Sequence, residues 1–234
     1  MPLLPARPSR PGLRTTEPGD PGPIPAVSFH DVAVLREDVL MLDGASGRVQ
    51  SGQILALTGR NGSGKTTLLR VLAGLLAPTA GQVAVLGRVP DERDRRFRRS
   101  LAALIGPPMS ARDLTVEENL RFIAATWGAR ADPAQEHAAH LLESLSIGAL
   151  AGRYPHELSS GQSQLVAIAM TLSRPFDVLL LDEPEQRLDA ERLDLVIGLL
   201  AQQAEQGAAI VLASHSPRLV EALADVAVHL EAEA

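Results

Sequence analysis

A chain of 234 residues, 45% of them hydrophobic, is long enough for one globular domain carrying a small inserted lobe. Its net charge of −6 argues against a dedicated nucleic-acid binder, which carries a basic face, and the lack of cysteine excludes disulfides and thiolate metal sites. No apolar run approaches the roughly 18 residues of a spanning helix, and the N-terminus lacks the apolar segment of a secretory signal. The expectation is a cytoplasmic protein whose attachment to a membrane comes through a partner.

Residues 1–26 hold eight prolines (Pro2, Pro5, Pro8, Pro11, Pro18, Pro21, Pro23 and Pro25), a composition that predicts an extended, disordered tail without a core. Ordered structure is expected from Val27. Short or alternating apolar runs at Val27–Val34, around Val49, at Ile54–Thr58 and at Val83–Leu86 predict strands. Between the last two, a helix from Lys65 sets Leu68, Leu69, Leu72 and Leu75 on one apolar face.

The cluster Arg93, Arg95, Arg96, Arg98 and Arg99, interleaved with Asp91, Glu92 and Asp94, predicts a solvated helix face. Thr115 and Glu118 have the spacing of a capping box, with Leu120, Ile123 and Trp127 following. A second helix start is expected at Asp132, with Pro133 in the first helical position, and Leu141, Leu142 and Leu145 supply its buried stripe. Val178–Leu181 and Ile210–Ala213 read as buried parallel strands, joined by a crossover helix over Ala190–Gln206. Strands separated by helices, with a helical insert, predict an α/β parallel sheet bearing a helical lobe.

The sharpest chemical signal is Gly59-Arg60-Asn61-Gly62-Ser63-Gly64-Lys65-Thr66, a G-x-x-x-x-G-K-[ST] loop between a strand and a helix. Glycines let successive backbone N–H groups turn inward around phosphate oxygens, and the helix that follows points its positive end at them. Lys65 reaches the β and γ phosphates and the Thr66 hydroxyl can hold Mg²⁺; Thr67 completes the loop. Lys65 is also the only lysine among the 22 basic residues, so arginine serves every generic cationic position. The loop predicts binding of a nucleoside triphosphate.

Three further segments narrow the class. Leu158-Ser159-Ser160-Gly161-Gln162 resembles the LSGGQ signature of ATP-binding cassette (ABC) proteins, and Val178–Pro184, containing Asp182 and Glu183, resembles their Walker B strand. Leu188-Asp189 is similar to their D-loop, and Ala213-Ser214-His215 to their switch histidine. Order and spacing also match, and the resemblance runs from about Val27 to Glu231.

The resemblance implies a P-loop NTPase core with a parallel sheet, N-terminal antiparallel strands and an inserted helical subdomain at about 108–174, the whole domain spanning 27–234. It implies ATP and Mg²⁺ as ligands, the ion held through Thr66 and Asp182. Glu183 is then the general base toward water and His215 the sensor of the γ-phosphate. Residues 158–162 would act on ATP bound by a second cassette. One phosphate loop and one signature make the chain a half-unit, completed by another cassette and coupled to permease subunits on a separate chain. That places it peripherally on the inner face of the membrane.

Departures from the family pattern stand beside these matches. Gly106 occupies the position of the Q-loop glutamine. The aromatic that stacks on adenine is absent, and Arg36 or Leu35 stands there; a guanidinium can stack on the base. Ser163-Gln164-Leu165 replaces a pattern containing arginine, Ser160 replaces a glycine, and Glu185-Gln186-Arg187 replaces Thr-Ser-Gly. The stretch Ala103–Thr115 looks more like exporters than importers. Two alternatives to an export motor remain open: a soluble ABC-type ATP switch, and a weakly active regulatory cassette paired with a more competent one.

Overall fold

The computed structural model describes residues 24–107 and 110–231. Most of the proline-rich segment, residues 1–23, and the first two positions of the expected helical subdomain lie outside the described residues. At the near end of the chain, Ala26 is already buried, and its carbonyl accepts a 2.7 Å hydrogen bond from Leu86 N.

Two sheets organise the fold. A three-stranded antiparallel sheet, in the order β2-β1-β4, is built from β1 (Val27–Arg36), β2 (Val39–Val49) and β4 (Ala80–Val85). A five-stranded parallel sheet, in the order β5-β6-β7-β3-β8, contains β3 (Ile54–Thr58), β5 (Leu101–Leu104), β6 (Val178–Asp182), β7 (Ala209–Ala213) and β8 (Val226–His229). The helices are α1 (Lys65–Leu72), α2 (Arg95–Ser100), α3 (Val116–Thr126), α4 (Ala131–Ser144), α5 (Ser160–Leu172), α6 (Ala190–Glu205) and α7 (Pro217–Leu223). Helices α3, α4 and α5 pack on one another as the helical lobe.

The central strands are apolar on both faces because each separates two cores. Alternate side chains of a strand point to opposite faces. Accordingly Ile54 and Ala56 of β3, Leu179 and Leu181 of β6, and Ile210 and Leu212 of β7 join the core shared with the helical lobe. Leu55 and Leu57, Val178 and Leu180, and Ala209, Val211 and Ala213 join the core under α1 and the antiparallel sheet. The continuous apolar runs seen in the sequence are the signature of that two-sided burial.

Three sequence expectations are corrected. Strand β2 is eleven residues long rather than a short run near Val49. Its middle, Asp43-Gly44-Ala45-Ser46-Gly47, lacks β-branched residues, and pairing with β1 holds it extended instead. Helix α1 ends at Leu72, so Leu75 falls beyond it and is exposed. Helix α4 starts at Ala131 with Arg130 at the cap and no side-chain cap bond, placing Pro133 inside the first turn. Strand β8 and helix α7, four and seven residues long, had no periodic signal to announce them.

The lobe is fixed by polar contacts as well as packing. Thr115 and Glu118 form the expected reciprocal capping box at the start of α3. Buried Asn119 accepts from Ala111 N at 2.9 Å and donates to the carbonyls of Ala111, Leu114 and Thr115, stapling the incoming loop to α3. Behind the lobe, the Arg174 guanidinium lies 3.7 Å over the Trp127 ring and donates to the Arg98 carbonyl. Burial there, with the nearby Arg98 charge adding to it, brings the Arg174 pKa down to about 10. The arginines of α2 are exposed and only Phe97 of that helix is buried, as the charge pattern predicts.

Candidate active site

In the parallel sheet, β7 lies between β3 and β6. The loops leaving these three neighbouring strands therefore meet at one edge, and they carry the phosphate loop, His215 and the Asp182–Glu183 pair. Parallel topology brings together segments more than 100 residues apart in the chain.

The phosphate loop turns between β3 and α1 as its sequence predicts. Gly59 has φ 135°, and a Cβ there would stand 2.2 Å from the Leu230 carbonyl oxygen, so no other residue fits without moving the chain. Lys65 is buried, and its ammonium donates to the carbonyls of Gly59 and Arg60 at 3.0 and 2.9 Å. Burial holds the Lys65 pKa below the ordinary lysine value, partly opposed by the negative charges of Glu183, Asp182 and Glu185. The buried Ser63 hydroxyl makes no hydrogen bond within the protein, which suits a loop built around an external acceptor.

Thr66 Oγ1 donates to Asp182 Oδ2 at 2.8 Å, so the two oxygens expected to hold a metal ion lie side by side. A hydroxyl and one carboxylate suit Mg²⁺, which binds few protein oxygens and completes its shell with phosphate and water. Among the described residues no cluster of three or more His, Cys, Asp or Glu is arranged to hold a metal.

A cavity of about 420 Å³ opens beside the loop, lined by Asn61, Gly62, Gly64–Thr67, Glu183 and the β2 residues Val39, Leu40 and Met41. Arg36 is not part of this lining. It pairs with Val39 across a two-residue turn, Glu37-Asp38, in which both residues have positive φ. The β2 residues Val39, Leu40 and Met41 that line the cavity are apolar, and Arg36 stands at the adjoining hairpin tip.

Glu183 is the most constrained residue here. Its φ is 49°, unusual for a residue with a side chain and costly by on the order of 1 kcal/mol or more. Three neighbours hold it: Glu183 N donates to the Ala213 carbonyl at 2.9 Å, Gln186 Nε2 donates to Oε2 at 3.0 Å, and His215 Nε2 lies 3.4 Å from Oε1. Gln164 of α5 reaches across to donate to the carbonyls of Glu183 and Pro184. Gln164, Glu185 and Gln186 stand out in the sequence only as departures from a pattern; in the structure Gln164 and Gln186 bond to the loop that carries Glu183, and Glu185 ties that loop to the turn after β7.

The signature segment stands apart from this cavity, and none of Leu158, Ser159, Ser160, Gly161 or Gln162 lines it. Ser159 caps α5 and exchanges bonds with Gln162, a reciprocal box that the S-x-x-Q spacing encodes. Gly161 is required by contact: a Cβ would come 2.8 Å from the Arg187 carbonyl oxygen. Asp189 caps α6 by accepting from Arg192 N, and its side chain also lies 3.5 Å from the Arg192 guanidinium. Gly106, just beyond β5, is exposed and has no side chain to turn toward the cavity.

This arrangement of phosphate loop, acidic strand end and histidine on a parallel sheet with a helical lobe defines an ATP-hydrolysing cassette. The chain belongs to the ABC transporter family, whose model matches residues 42–186. It is 37% identical over 209 residues to a putative ABC transporter ATP-binding protein of Brucella suis, covering 88% of this chain and 86% of that one. A putative ABC transporter ATP-binding protein of Streptomyces avermitilis is 38% identical across 97% of this chain, which spans only 40% of that longer relative. Relatives named for opposite directions match equally well. A methionine import ATP-binding protein of Nocardia farcinica is 33% identical, covering 86% of this chain and 63% of its own. A Nod factor export ATP-binding protein of Burkholderia pseudomallei is also 33% identical, covering 81% and 62%.

Among solved structures, an ATP-binding subunit of an ABC transporter superposes with a TM-score of 0.79 at 25% identity, covering 89% of this chain and 88% of that one. A dimeric cassette in a post-hydrolysis state, bound to ADP and Pi, shares the fold with a TM-score of 0.78 at 23% identity, covering 89% and 97%.

Proposed function

We propose that this chain is the ATP-hydrolysing subunit of a membrane transporter, energising a permease on a separate chain through ATP-driven pairing with a second cassette. The observation that carries the reading is the separation just described: the chain has one phosphate loop and one signature, and the signature does not line its own phosphate cavity. A second cassette supplies the missing half of each site, in keeping with the dimeric cassette that shares this fold.

In the proposed mechanism the backbone N–H groups of Arg60–Thr67 and the Lys65 ammonium bind the ATP phosphates, while Thr66 and Asp182 hold Mg²⁺. The ion, when bound, would neutralise charge on the phosphate oxygens. Glu183 accepts a proton from the attacking water as general base, and His215 donates a hydrogen bond to the γ-phosphate. Ser159 and Gly161, at the start of α5, meet the γ-phosphate held by the partner, and Asp189 lies in the pairing surface. The cassette is taken to run over 27–234, with the helical subdomain at about 108–174 and 1–26 as a tail.

No helix among the described residues is long and apolar enough to cross a membrane. Docking to a permease then sets the chain on the cytoplasmic face. For direction we favour export, on the exporter-like stretch Ala103–Thr115. A second reading is favoured by Gly106 and by the aliphatic wall at Val39–Met41: a weakly active cassette paired with a more competent one, in which coupling and base selection fall to the partner.

Extraction of the tagged chain from its host's membranes in mild detergent tests the proposal. A stoichiometric multi-spanning protein should co-purify, and a second, different cassette in the same complex would establish the paired reading. Recovery from the soluble fraction without any membrane protein would contradict a transporter role.

A further inference from the structure

The turn after β6 carries a carboxylate to which neither the phosphate loop nor the signature assigns a task. Glu185 reaches from this turn to the turn after β7, where its Oε1 accepts three hydrogen bonds: from Ser214 Oγ at 2.6 Å, His215 N at 2.8 Å and Ser216 N at 3.2 Å. Ser216 N also donates to Ser214 Oγ at 3.0 Å, so the acceptor and its donors form a closed set. The other oxygen, Oε2, is buried without a hydrogen-bond partner. Leaving a carboxylate oxygen in that position is unfavourable, and the three bonds to Oε1, two of them from backbone, offset the cost.

The consequence falls on His215. Its backbone N–H is held by Glu185 while its imidazole points at Glu183, with Nε2 at 3.4 Å from Oε1. Glu183 itself is tied to the same turn through its N–H bond to the Ala213 carbonyl. The β6 and β7 turns are therefore joined at two points, one through backbone and one through Glu185, with the Glu183–His215 pair between them.

We propose that Glu185 is a positioning residue, a strut that sets the His215 imidazole against Glu183 and couples the turn leading to Asp189 with the turn carrying the histidine. This rests on the reading that Glu183 and His215 act on ATP. A partner cassette pressing on the Arg187–Asp189 segment would shift Glu185, and with it the histidine.

The test is a double-mutant cycle on ATP hydrolysis with the full chain. Glu185→Ala should lower kcat by about 10-fold to 100-fold, the scale of a roughly 1 Å misplacement, with KM for ATP within about twofold. Glu185→Gln keeps an acceptor oxygen at the same place and should recover most of the rate. In a His215→Ala background, Glu185→Ala should add less than about a further twofold, because the strut then has nothing to aim. Undiminished kcat in Glu185→Ala, or losses that multiply fully in the double variant, would overturn the proposal. Failure of Glu185→Gln to recover the rate would also overturn it, since the acceptor is retained. If the wild-type chain hydrolyses no faster than Glu183→Gln, the underlying ATPase mechanism fails instead, which separates the two outcomes.

Discussion

Lys65 is the residue that most directly reports whether the loop is built for phosphate. Burial disfavours its ammonium more than Glu183, Asp182 and Glu185 favour it, so the folded chain releases this proton at a lower pH than the unfolded chain does. Between those two values the unfolded state binds more protons, and this group makes stability rise with pH across that window. Because there is one lysine in the chain, isotope-labelled lysine gives one side-chain resonance to follow. Its titration midpoint should lie below that of an ordinary lysine without nucleotide and move up when ATP is added, since phosphates favour the charged form. A midpoint at or above the ordinary value without nucleotide would contradict the burial argument.

At this scale the phosphate loop, Asp182, Glu183 and His215 were legible because each needs a particular residue type at a fixed place. Glu185 was not, since its role depends on three donors that the fold brings from 29 to 31 residues away. Arg36 was assigned from a position in a pattern. It stands at the β1–β2 hairpin, next to the β2 residues that contribute to the cavity lining beside the phosphate loop.

Among the elements, those with a strong period or a side-chain cap were readable: α3 from its capping box, α6 from its crossover pattern, and β6 and β7 from runs buried on both faces. Strand β2 escaped because its glycines and polar residues have little strand propensity and pairing alone keeps it extended. The entry to the helical lobe turns on Asn119, whose buried amide holds Ala111, Leu114 and Thr115. Asn119→Leu removes all four of these side-chain bonds, while the Ala111 and Thr115 carbonyls keep their backbone donors, Leu114 N and Asn119 N. It should cost about 2 to 4 kcal/mol of stability, at roughly 1 kcal/mol for each lost bond. Urea unfolding of the variant checks this, and a midpoint equal to the wild type would show that the staple is dispensable.

For the whole molecule, the α/β architecture follows from where the apolar residues alternate. The placement of the site follows from strand order, with β7 between β3 and β6. Strand order is what the sequence withheld, because it is set by pairings between distant segments. It unites the phosphate loop with the acidic pair and histidine while leaving the signature outside that cavity. A site divided in this way should depend on concentration: hydrolysis per chain rises as cassettes pair.

The most direct test is phosphate release with Mg²⁺ and ATP, measured across a range of protein concentrations for the wild-type chain and for Glu183→Gln. The wild type should hydrolyse slowly but measurably, with a rate per chain that climbs with concentration. The variant should be slower by about 100-fold or more, the scale of a lost general base. Equal rates in the two proteins would contradict the assignment of Glu183 and the mechanism built on it.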